Sequence, residues 1–565
     1  MMAEFTRRDF LKKVGLAAAG GCGVLLKGCV TKASYDLIIK DGLVIDGEGK
    51  PGAVADIGIN GDSITAMGKI PSSRAQTVLQ AKGLAVSPGF IDVHNHTAVE
   101  LLVNPKAESA IRQGVTTLVS GQCGESPFPF SDGMFEEVRE ANKAEYGVDV
   151  DWKSVQGFLL RLERGGMALN YSTFVGQGAV RAAAMGYGDR KPTASEIGIM
   201  KTMVAEAMEN GALGLSTGLE YTPGSFASTE EIIELARVAA FSGGLYATHM
   251  RDEQDFILEA VDEAIRIGRE ARIPLQISHL KVGYPGNWPK LPAVLRKIEE
   301  ARNSGLDIFC DRYPYIAGAT GLSLYFPLWA REGATRDFLA RLKDPALQDR
   351  LRAALADKEE KLGSWDKVLI SDVVSDANKW VEGRTILEGA RRAGKPPYEF
   401  MRDLLLDEKD RVGMISFTMN EDNLKRILSH PLVGVCSDSE AVAPYGPLRK
   451  GKPHPRYYGT FPRVLGKYVR EEKLMPLEAM VRKMTSIPAR RFGFARRGVL
   501  REGQIADIVI FDPDKVIDKA TWADPHQYPE GIPHVIVNGR AVIENGEHTG
   551  RLSGKVLRKS GRSGA

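Results

Sequence analysis

The chain begins and ends with stretches in which apolar and polar positions alternate. Residues 35–85 contain YDLIIKDGLVIDGEG and ADIGINGDSITAMG, and residues 499–546 contain GVLREGQIADIVIFDP and HVIVNGRAVIENGE. Alternation with a period of two indicates half-buried strands, and the Asp-Gly and Asn-Gly pairs indicate tight turns between them. We therefore expect a small β-sandwich assembled from both ends of the chain, over residues 35–85 and 495–548.

The middle of the chain instead alternates apolar runs with amphipathic stretches. Stretches with helical periodicity, such as ASEIGIMKTMVAEAMENG and DFILEAVDEAIRIGREA, end near a Gly or a Pro-containing turn. Strands that alternate with helices are typical of parallel sheets, and eight such units close a (β/α)8 barrel. We expect an α/β fold with a TIM-like barrel over residues 86–494. The eight apolar runs are LAVSPGFIDV (84–93), VTTLVS (115–120), LNYSTFVG (169–176), ALGLSTG (212–218), GLYATH (244–249), IPLQISH (273–279), GLDIFCD (305–311) and LVGVCSD (432–438).

The interval between the seventh and eighth runs is about 120 residues, which is too long for a single helix. It contains the charged stretch RDFLARLKDPALQDRLRAALADKEEKLG. We expect a helical insertion at about 330–410 that covers one end of the barrel.

The first 29 residues resemble a targeting segment and are kept out of the fold. TRRDFLKK precedes the small, apolar run VGLAAAGGCGVLL, an order of elements that resembles a twin-arginine export signal. LKGC, which ends at Cys29, resembles a lipoprotein cleavage box, although Lys27 departs from that pattern. The apolar run is shorter than the about 20 residues that span a bilayer. We expect export to the periplasm without a transmembrane span, and a lipid anchor on Cys29 is a second expectation.

The charge balance gives no reason to expect a nucleic-acid partner. The formal net charge is +3, and the first 29 residues carry five basic and two acidic side chains, so the rest of the chain is near neutral. We expect a small-molecule substrate instead. Residues 551–565 form a basic tail that we expect to fray. It holds Arg551, Lys555, Arg558, Lys559 and Arg562 and no acidic residue.

Side chains of the metal-ligating type follow several of the apolar runs. His94 and His96 are two residues apart, so on a strand both face the same way. Active sites of (β/α)8 barrels lie at the carboxyl ends of the strands. We expect these side chains to meet there, and their nitrogen, sulfur and carboxylate donors favour Zn²⁺, with Co²⁺, Mn²⁺ or Fe²⁺ as substitutes. They are His94 and His96 after the first run, Cys123 after the second, His249 after the fifth, His279 after the sixth and Asp438 after the eighth.

Short strings around these residues resemble the D-aminoacylase family, the N-acyl-D-amino-acid deacylases of the amidohydrolase superfamily. Most two-metal members of the superfamily bridge their metals with a carboxylated lysine on strand four, whereas this family uses a cysteine on strand two. ALGLSTGLEY, at strand four of this chain, offers no lysine. The resemblance runs in order from about residue 35 to about residue 545. Its strings are PGFIDVHNH, GQCG, GLEYTPG, THMRDE, ISHLK, DRYPY and HPRYYGTFPRVL.

The resemblance implies how the metal is held. One tight zinc would be bound by Cys123, His249 and His279. A second, weaker position would use His94 and His96, with Cys123 as the bridge.

The resemblance also implies roles around the metal. Asp438 would act first as the general base and then as the general acid. The segment YPYIAGATGLSLYFPLWAR does not align with the family's substrate-side features, so the preferred acyl group and side chain stay open. Substrate contacts would fall on Lys281, Tyr221 and Tyr313, with Arg251 and His454 at the rim of the pocket or behind it.

These implications predict hydrolysis of a linear amide, an N-acyl-D-amino acid, to a carboxylate and a D-amino acid. Three alternatives stay open. The first is an exported dipeptidase of the same family that cleaves D-containing dipeptides. The second is a cyclic-amide hydrolase of the hydantoinase or dihydroorotase type, which would favour the bridging lysine. The third is a binding protein without activity, which would have no use for the proton shuttle at Asp438.

Overall fold

The computed structural model describes residues 34–559 of the 565-residue chain. The expected export signal over residues 1–29, with Cys29, lies outside the described residues, as do residues 560–565 of the basic tail.

The strands of the described region are numbered here in chain order. They are β1 (Tyr35–Val44), β2 (Ala53–Asn60), β3 (Ser63–Gly68), β4 (Ala75–Gln80), β5 (Ala85–Pro88), β6 (Phe90–Asp92), β7 (Val115–Ser120), β8 (Asn170–Thr173), β9 (Val175–Gly176), β10 (Gly214–Gly218), β11 (Leu245–His249), β12 (Leu275–Ile277), β13 (Ile308–Arg312), β14 (Gly318–Gly321), β15 (Val368–Asp372), β16 (Gly413–Ser416), β17 (Val433–Val435), β18 (Ile508–Phe511), β19 (His534–Val537), β20 (Arg540–Glu544) and β21 (Glu547–His548).

The α-helices are numbered in the same way, and a π-helical segment, Val464–Glu471, follows the fifteenth of them. They are α1 (Glu100–Val103), α2 (Glu108–Ile111), α3 (Asp132–Tyr146), α4 (Val155–Gly165), α5 (Gln177–Met185), α6 (Ala194–Glu209), α7 (Thr229–Phe241), α8 (Ile257–Ala271), α9 (Leu291–Asn303), α10 (Thr335–Lys343), α11 (Gln348–Leu362), α12 (Ile386–Ala393), α13 (Pro397–Asp407), α14 (Glu421–Ser429), α15 (Arg456–Arg463), α16 (Leu477–Met484) and α17 (Ser486–Phe492).

The two ends of the described chain form one β domain. Strands β1–β5 and β18–β21 belong to one nine-stranded sheet, in which β18 pairs antiparallel with β5. Buried isoleucines from both ends, including Ile39, Ile57 and Ile508, share an apolar cluster. The alternating pattern at the two ends of the sequence therefore reflects one domain with a common core.

Each of the eight apolar runs of the middle region contributes to a parallel sheet, although the first run also contains β5, which belongs to the β domain. Strands β6, β7 and β8 form one sheet, and β9, β10, β11, β12, β13 and β17 follow in order in a second. Phe174 connects β8 to β9, so the third run continues from one sheet into the other. At the opposite edge, the Asp438 amide donates to the His94 carbonyl at 2.9 Å, and the His96 amide donates to the Ser439 carbonyl at 2.8 Å. Hydrogen bonds therefore join the first run to the eighth.

The predicted amphipathic helices are present as α6 and α8. Thr193 and Glu196 cap the start of α6 reciprocally, because each side chain accepts a hydrogen bond from the backbone amide of the other. Helix α8 ends at Arg272 in the left-handed conformation.

A separate unit lies between β13 and β17. Strands β14, β16 and β15 form an antiparallel sheet, and α10–α13 pack around an apolar cluster of their own that includes Phe338, Trp365 and Met401. This unit begins at Gly318 and ends at Ser416, somewhat beyond the interval expected from the charged stretch.

The basic tail does not fray where it is described, which corrects the expectation from its charge. The Tyr171 amide donates to the Lys555 carbonyl at 3.0 Å, and the Leu557 amide donates to the Tyr171 carbonyl at 2.7 Å. Arg558 forms an ion pair with Glu163 at 2.5 Å. The segment therefore lies along β8, where backbone hydrogen bonds offset the entropy of ordering it.

Within residues 34–559, no helix combines the length and the apolar character that crossing a membrane requires.

Candidate metal centre and substrate pocket

The thiol of Cys123 lies at the meeting point of three imidazoles. Its Sγ is 3.4 Å from Nε2 of His94, 3.4 Å from Nε2 of His279 and 3.8 Å from Nδ1 of His249. All four side chains are buried. They come from residues at or just beyond the ends of β6, β7, β11 and β12, so parallel strands bring together side chains that are distant in sequence.

Three residues of this centre adopt the left-handed backbone conformation. The φ angle is 51° at Cys123, 34° at His279 and 52° at Asp438, and each residue follows the end of its strand. Such angles are uncommon outside glycine and cluster at functional sites. The loop of Cys123 also requires glycine at its neighbour on β10, because a Cβ on Gly218 would lie 2.0 Å from the Cys123 carbonyl oxygen.

Each histidine that faces Cys123 has a carboxylate near its other ring nitrogen, but only His279 is within hydrogen-bond geometry of that carboxylate, whereas His94 Nδ1 and His249 Nε2 have no hydrogen-bond partner among residues 34–559. A hydrogen bond to a carboxylate fixes the orientation of an imidazole and raises its basicity as a metal ligand. The distances are 3.5 Å from His94 Nδ1 to Asp311, 3.4 Å from His249 Nε2 to Glu220 and 3.1 Å from His279 Nδ1 to Glu253.

The donor set fits a divalent cation that accepts sulfur and nitrogen ligands. Burial raises the pKa of the Cys123 thiol well above its ordinary value, and the charges of Asp438 and Glu125 raise it further. A cation at this point would offset those effects and stabilise the thiolate. Zn²⁺ is the metal most often bound by cysteine, histidine and carboxylate together.

Asp438 lies on the other side of the histidine pair. Its Oδ1 is 3.3 Å from His94 Nε2 and 3.1 Å from His96 Nε2, and its Oδ2 is 2.8 Å from Nη1 of Arg456. Burial alone would raise the pKa of this carboxyl group, but the adjacent Arg456 guanidinium and the histidines hold it well below its ordinary value. The group is therefore an ionised carboxylate at neutral pH.

Lys281, which the resemblance implies as a substrate contact, lies at the same centre. It is not part of a strand, because β12 ends at Ile277. The Lys281 ammonium nevertheless lies 2.8 Å from Nδ1 of His279 and forms an ion pair with Glu253. Burial would raise the pKa of Glu253, but Lys281 and the adjacent imidazoles lower it.

A cavity of about 620 Å³ opens over the centre. The Tyr313 hydroxyl is fully buried and has no hydrogen-bond partner among residues 34–559. The Tyr221 hydroxyl accepts a hydrogen bond from Thr320 at 3.3 Å. Side chains in the cavity wall include those of Cys123, His96, His249, His279, Asp438, Lys281, Tyr221 and Tyr313.

The two residues expected near the rim have different surroundings. Arg251 lies in the cavity wall and is paired with Glu263 at 2.9 Å. His454 is buried behind the wall, where its Nε2 is 2.9 Å from the Ala317 carbonyl oxygen.

The sequence argument missed four charged residues of the centre, which are Glu220, Glu253, Asp311 and Arg456. Asp311 ends the seventh apolar run, so the rule that selected Asp438 could have selected it as well. Glu253 lies in the string THMRDE, four residues after His249. Arg456 lies in the string HPRYYGTFPRVL, but it starts α15, well beyond the end of the eighth run, so the rule about strand ends does not select it.

Comparison with known proteins agrees with this geometry. The model of the amidohydrolase family matches residues 77–543. The D-aminoacylase of Alcaligenes xylosoxydans xylosoxydans is 37% identical over 526 residues, which cover 93% of this chain and 98% of the relative.

Two solved structures are similar over most of their length. The N-acyl-D-glutamate deacylase of Bordetella bronchiseptica, complexed with zinc and a phosphonate mimic of the tetrahedral intermediate, has a TM-score of 0.78 and 35% identity over 93% of this chain and 100% of that one. A D-aminoacylase described by its binuclear metal centre has a TM-score of 0.79 and 37% identity, with the same coverage. This chain therefore belongs to the amidohydrolase family and, within it, to the group that contains D-aminoacylase.

Proposed function

We propose that the protein is a zinc-dependent N-acyl-D-amino-acid deacylase, which hydrolyses a linear amide to a carboxylate and a free D-amino acid. The convergence of three histidines on Cys123 carries the proposal. Strand β10, with the sequence GLSTG, has no lysine to serve as a bridge, which disfavours the cyclic-amide alternative. The relatives named above are deacylases of N-acyl-D-amino acids.

The metal would be held in two positions of unequal strength. Cys123, His249 and His279 would hold the tight zinc, and His94 and His96, with Cys123 shared, would form the weaker position. When bound, zinc lowers the pKa of a water molecule from about 15.7 to about 7 and polarises a carbonyl group.

Asp438 would move the proton during hydrolysis. As an ionised carboxylate it accepts a proton from the attacking water, whose oxygen forms the new bond to the acyl carbon. It then donates that proton to the nitrogen of the breaking amide bond, so the amino acid leaves as a neutral amine. The ion pair with Arg456 favours the ionised form of Asp438, which is the form that accepts the proton.

Cationic and phenolic groups would bind the carboxylate of the substrate. Lys281, Arg456 and the unpartnered hydroxyl of Tyr313 all line the cavity, with Tyr221 on the same wall. Charge-assisted hydrogen bonds to a carboxylate are among the stronger polar contacts in proteins. They would orient the amide toward Cys123 and Asp438.

We further infer that the eight parallel runs close a (β/α)8 barrel over residues 86–494, with a helical insertion between the seventh and eighth strands. The strand order within the two parallel sheets, and the backbone hydrogen bonds from Asp438 to His94 and from His96 to Ser439, support closure. The separate apolar core of α10–α13 supports an insertion that covers the site.

Export to the periplasm is also proposed, on the twin-arginine pattern near Arg7 and Arg8. The lipid anchor on Cys29 is part of this proposal. Cell fractionation of the full-length protein tests it, with Arg7→Lys/Arg8→Lys as the comparison. Retention of both forms in the cytoplasm would reject export.

One substrate panel tests the activity. Zinc-loaded protein is incubated with N-acetyl-D-amino acids, N-acetyl-L-amino acids, D-containing dipeptides and hydantoins. We expect turnover of the N-acetyl-D-amino acids and its loss in Asp438→Asn. Asp518→Asn is the matched control, because Asp518 is paired with Arg463 away from the cavity. Turnover of hydantoins alone would reject the deacylase, and no turnover of any compound would favour a binding protein.

A further inference from the structure

A second cavity of about 240 Å³ adjoins the main one. His96 and Glu125 lie in the walls of both cavities, so the second opens beside the metal centre. Most of its other wall residues have apolar side chains, with Ser120, Ser126 and Asn142 among them as polar residues. The apolar side chains are Ala98, Val99, Pro127, Phe130, Val138, Val150 and Trp152.

The polar groups in this wall are already bonded to the backbone. Ser120 Oγ, Ser126 Oγ, Asn142 Nδ2 and Trp152 Nε1 each donate to a main-chain carbonyl group. Glu125, at the junction of the two cavities, is the charged residue of the wall besides His96. Beyond the mouth, an occupant would therefore meet apolar side chains together with polar groups that already have a hydrogen-bond partner.

We propose that this second cavity binds an apolar chain on the acyl side of the substrate. The inference rests on the proposed function, in which Lys281, Arg456 and Tyr313 hold the substrate carboxylate. Those three residues line only the main cavity. With the carboxylate held there and the amide at Cys123 and Asp438, the acyl group continues past His96 into the second cavity.

The shared chemistry is a short apolar chain on the reacting carbonyl group. It could come from a fatty acyl group or from the side chain of an apolar aminoacyl residue in a dipeptide. Burial of each methylene is worth about 0.8 kcal/mol, which corresponds to about fourfold in kcat/KM. Acetyl substrates would leave most of the second cavity unfilled.

The first test varies acyl length on one D-amino acid. We expect kcat/KM of the zinc-loaded protein to rise about fourfold per methylene from acetyl through butyryl to hexanoyl. Val138→Phe should remove most of this rise, and Val138→Ala should preserve it. Val138 lies on α3, a helix without a fully buried residue, so the protein should tolerate both changes.

Met134→Phe is the matched control. Met134 lies on the same helix, one turn earlier, and is not part of either cavity wall. The control should retain the wild-type dependence on acyl length. A flat profile in the wild type, or equal profiles in Val138→Phe and Met134→Phe, would overturn the subsite. Failure to hydrolyse any N-acyl-D-amino acid would instead reject the proposed function.

A second comparison separates the two sources of the chain. 4-Methylpentanoyl-D-alanine and L-leucyl-D-alanine carry the same branched chain and differ by the α-ammonium group. Turnover of either one above that of its acetyl or glycyl counterpart supports the subsite. If the leucyl compound is preferred and Glu125→Gln removes that preference, the apolar chain belongs to a dipeptide substrate. If the 4-methylpentanoyl compound is preferred, the apolar chain belongs to a fatty acyl group. No gain for either compound would overturn the subsite.

Discussion

Replacement of Arg456 by methionine should move the acid limb of the pH profile to higher pH. The guanidinium lies 2.8 Å from Asp438, and both side chains are less than one-tenth exposed. An opposite charge at this distance lowers the pKa of a carboxyl group by about 1–3 units. Without the guanidinium, less positive charge offsets the effect of burial, so the pKa of Asp438 should rise by a similar amount.

The sign follows from the role of Asp438 as a base. Only the ionised carboxylate accepts a proton, so kcat/KM falls as pH drops through the pKa of Asp438 in the free enzyme. In the wild type this fall lies below the ordinary range of aspartate, because the pKa is held well below it. In Arg456→Met the fall in kcat/KM should begin about 1–3 pH units higher. A loss of substrate affinity would lower kcat/KM without moving this pH.

The assay is kcat/KM of zinc-loaded protein against pH with one N-acetyl-D-amino acid, together with metal content at every pH. Arg463→Met is the matched control, since Arg463 ends the same helix and is paired with Asp518 at 3.1 Å. Arg456→Lys should retain part of the effect. An acid limb that stays at the wild-type position in an active Arg456→Met protein with full metal would refute the reasoning.

Three further predictions address the metal, the substrate and the fold. Cys123→Ala should bind clearly less zinc than the wild type by elemental analysis, and an unchanged stoichiometry would mean that the thiolate is not a ligand. Lys281→Met should raise KM by about 10–100-fold, because a hydrogen bond to a charged group is worth about 1.5–3 kcal/mol. Lys297→Met is the control and should not raise KM, because Lys297 is paired with Asp262 and lies outside the cavity wall. Burial lowers the pKa of Lys483 to about 7, so the unfolded chain binds more protons above that pH and the free energy of unfolding should rise from pH 7 toward pH 10. Urea titrations that show the same rise in the free energy of unfolding in Lys483→Met would mean that Lys483 is not its cause.

The sequence was sufficient to predict the ligand-type residues because one geometric rule applies to all of them. The parallel strands of a (β/α)8 barrel have their carboxyl ends at the same end of the barrel, so His94, Cys123, His249, His279 and Asp438 could be grouped without knowledge of the helices between them. The rule needs only the ends of the apolar runs, and it tolerates an error of one or two residues in each end.

The residues that tune the centre were harder to predict. Arg456 comes from a helix after the last parallel strand, and no periodic pattern relates that helix to Asp438. Lys281 was expected at the site from the resemblance, but its route there was not, because β12 ends before His279 and the backbone turns at that residue. The tail after residue 550 reads as charged and exposed, yet its backbone carbonyl and amide groups bond to Tyr171. Each of these features depends on tertiary contacts that hydrophobic patterning does not encode.

Three residues of the site have a left-handed backbone just after a strand, where the apolar sequence pattern predicts extended structure. Cys123, His279 and Asp438 each leave the extended conformation just after a strand, at a cost of about 1–2 kcal/mol for a residue other than glycine. Glycine would relieve that cost at any of the three positions, but it would remove the thiol, imidazole or carboxylate that the centre uses. The packing of Gly218 against the Cys123 carbonyl group shows how the neighbouring strand leaves space for the strained loop. The fold thus gives up local stability at the strand ends, where the Cys123 thiol lies beside His94 and His279 and the Asp438 carboxylate lies beside His94 and His96.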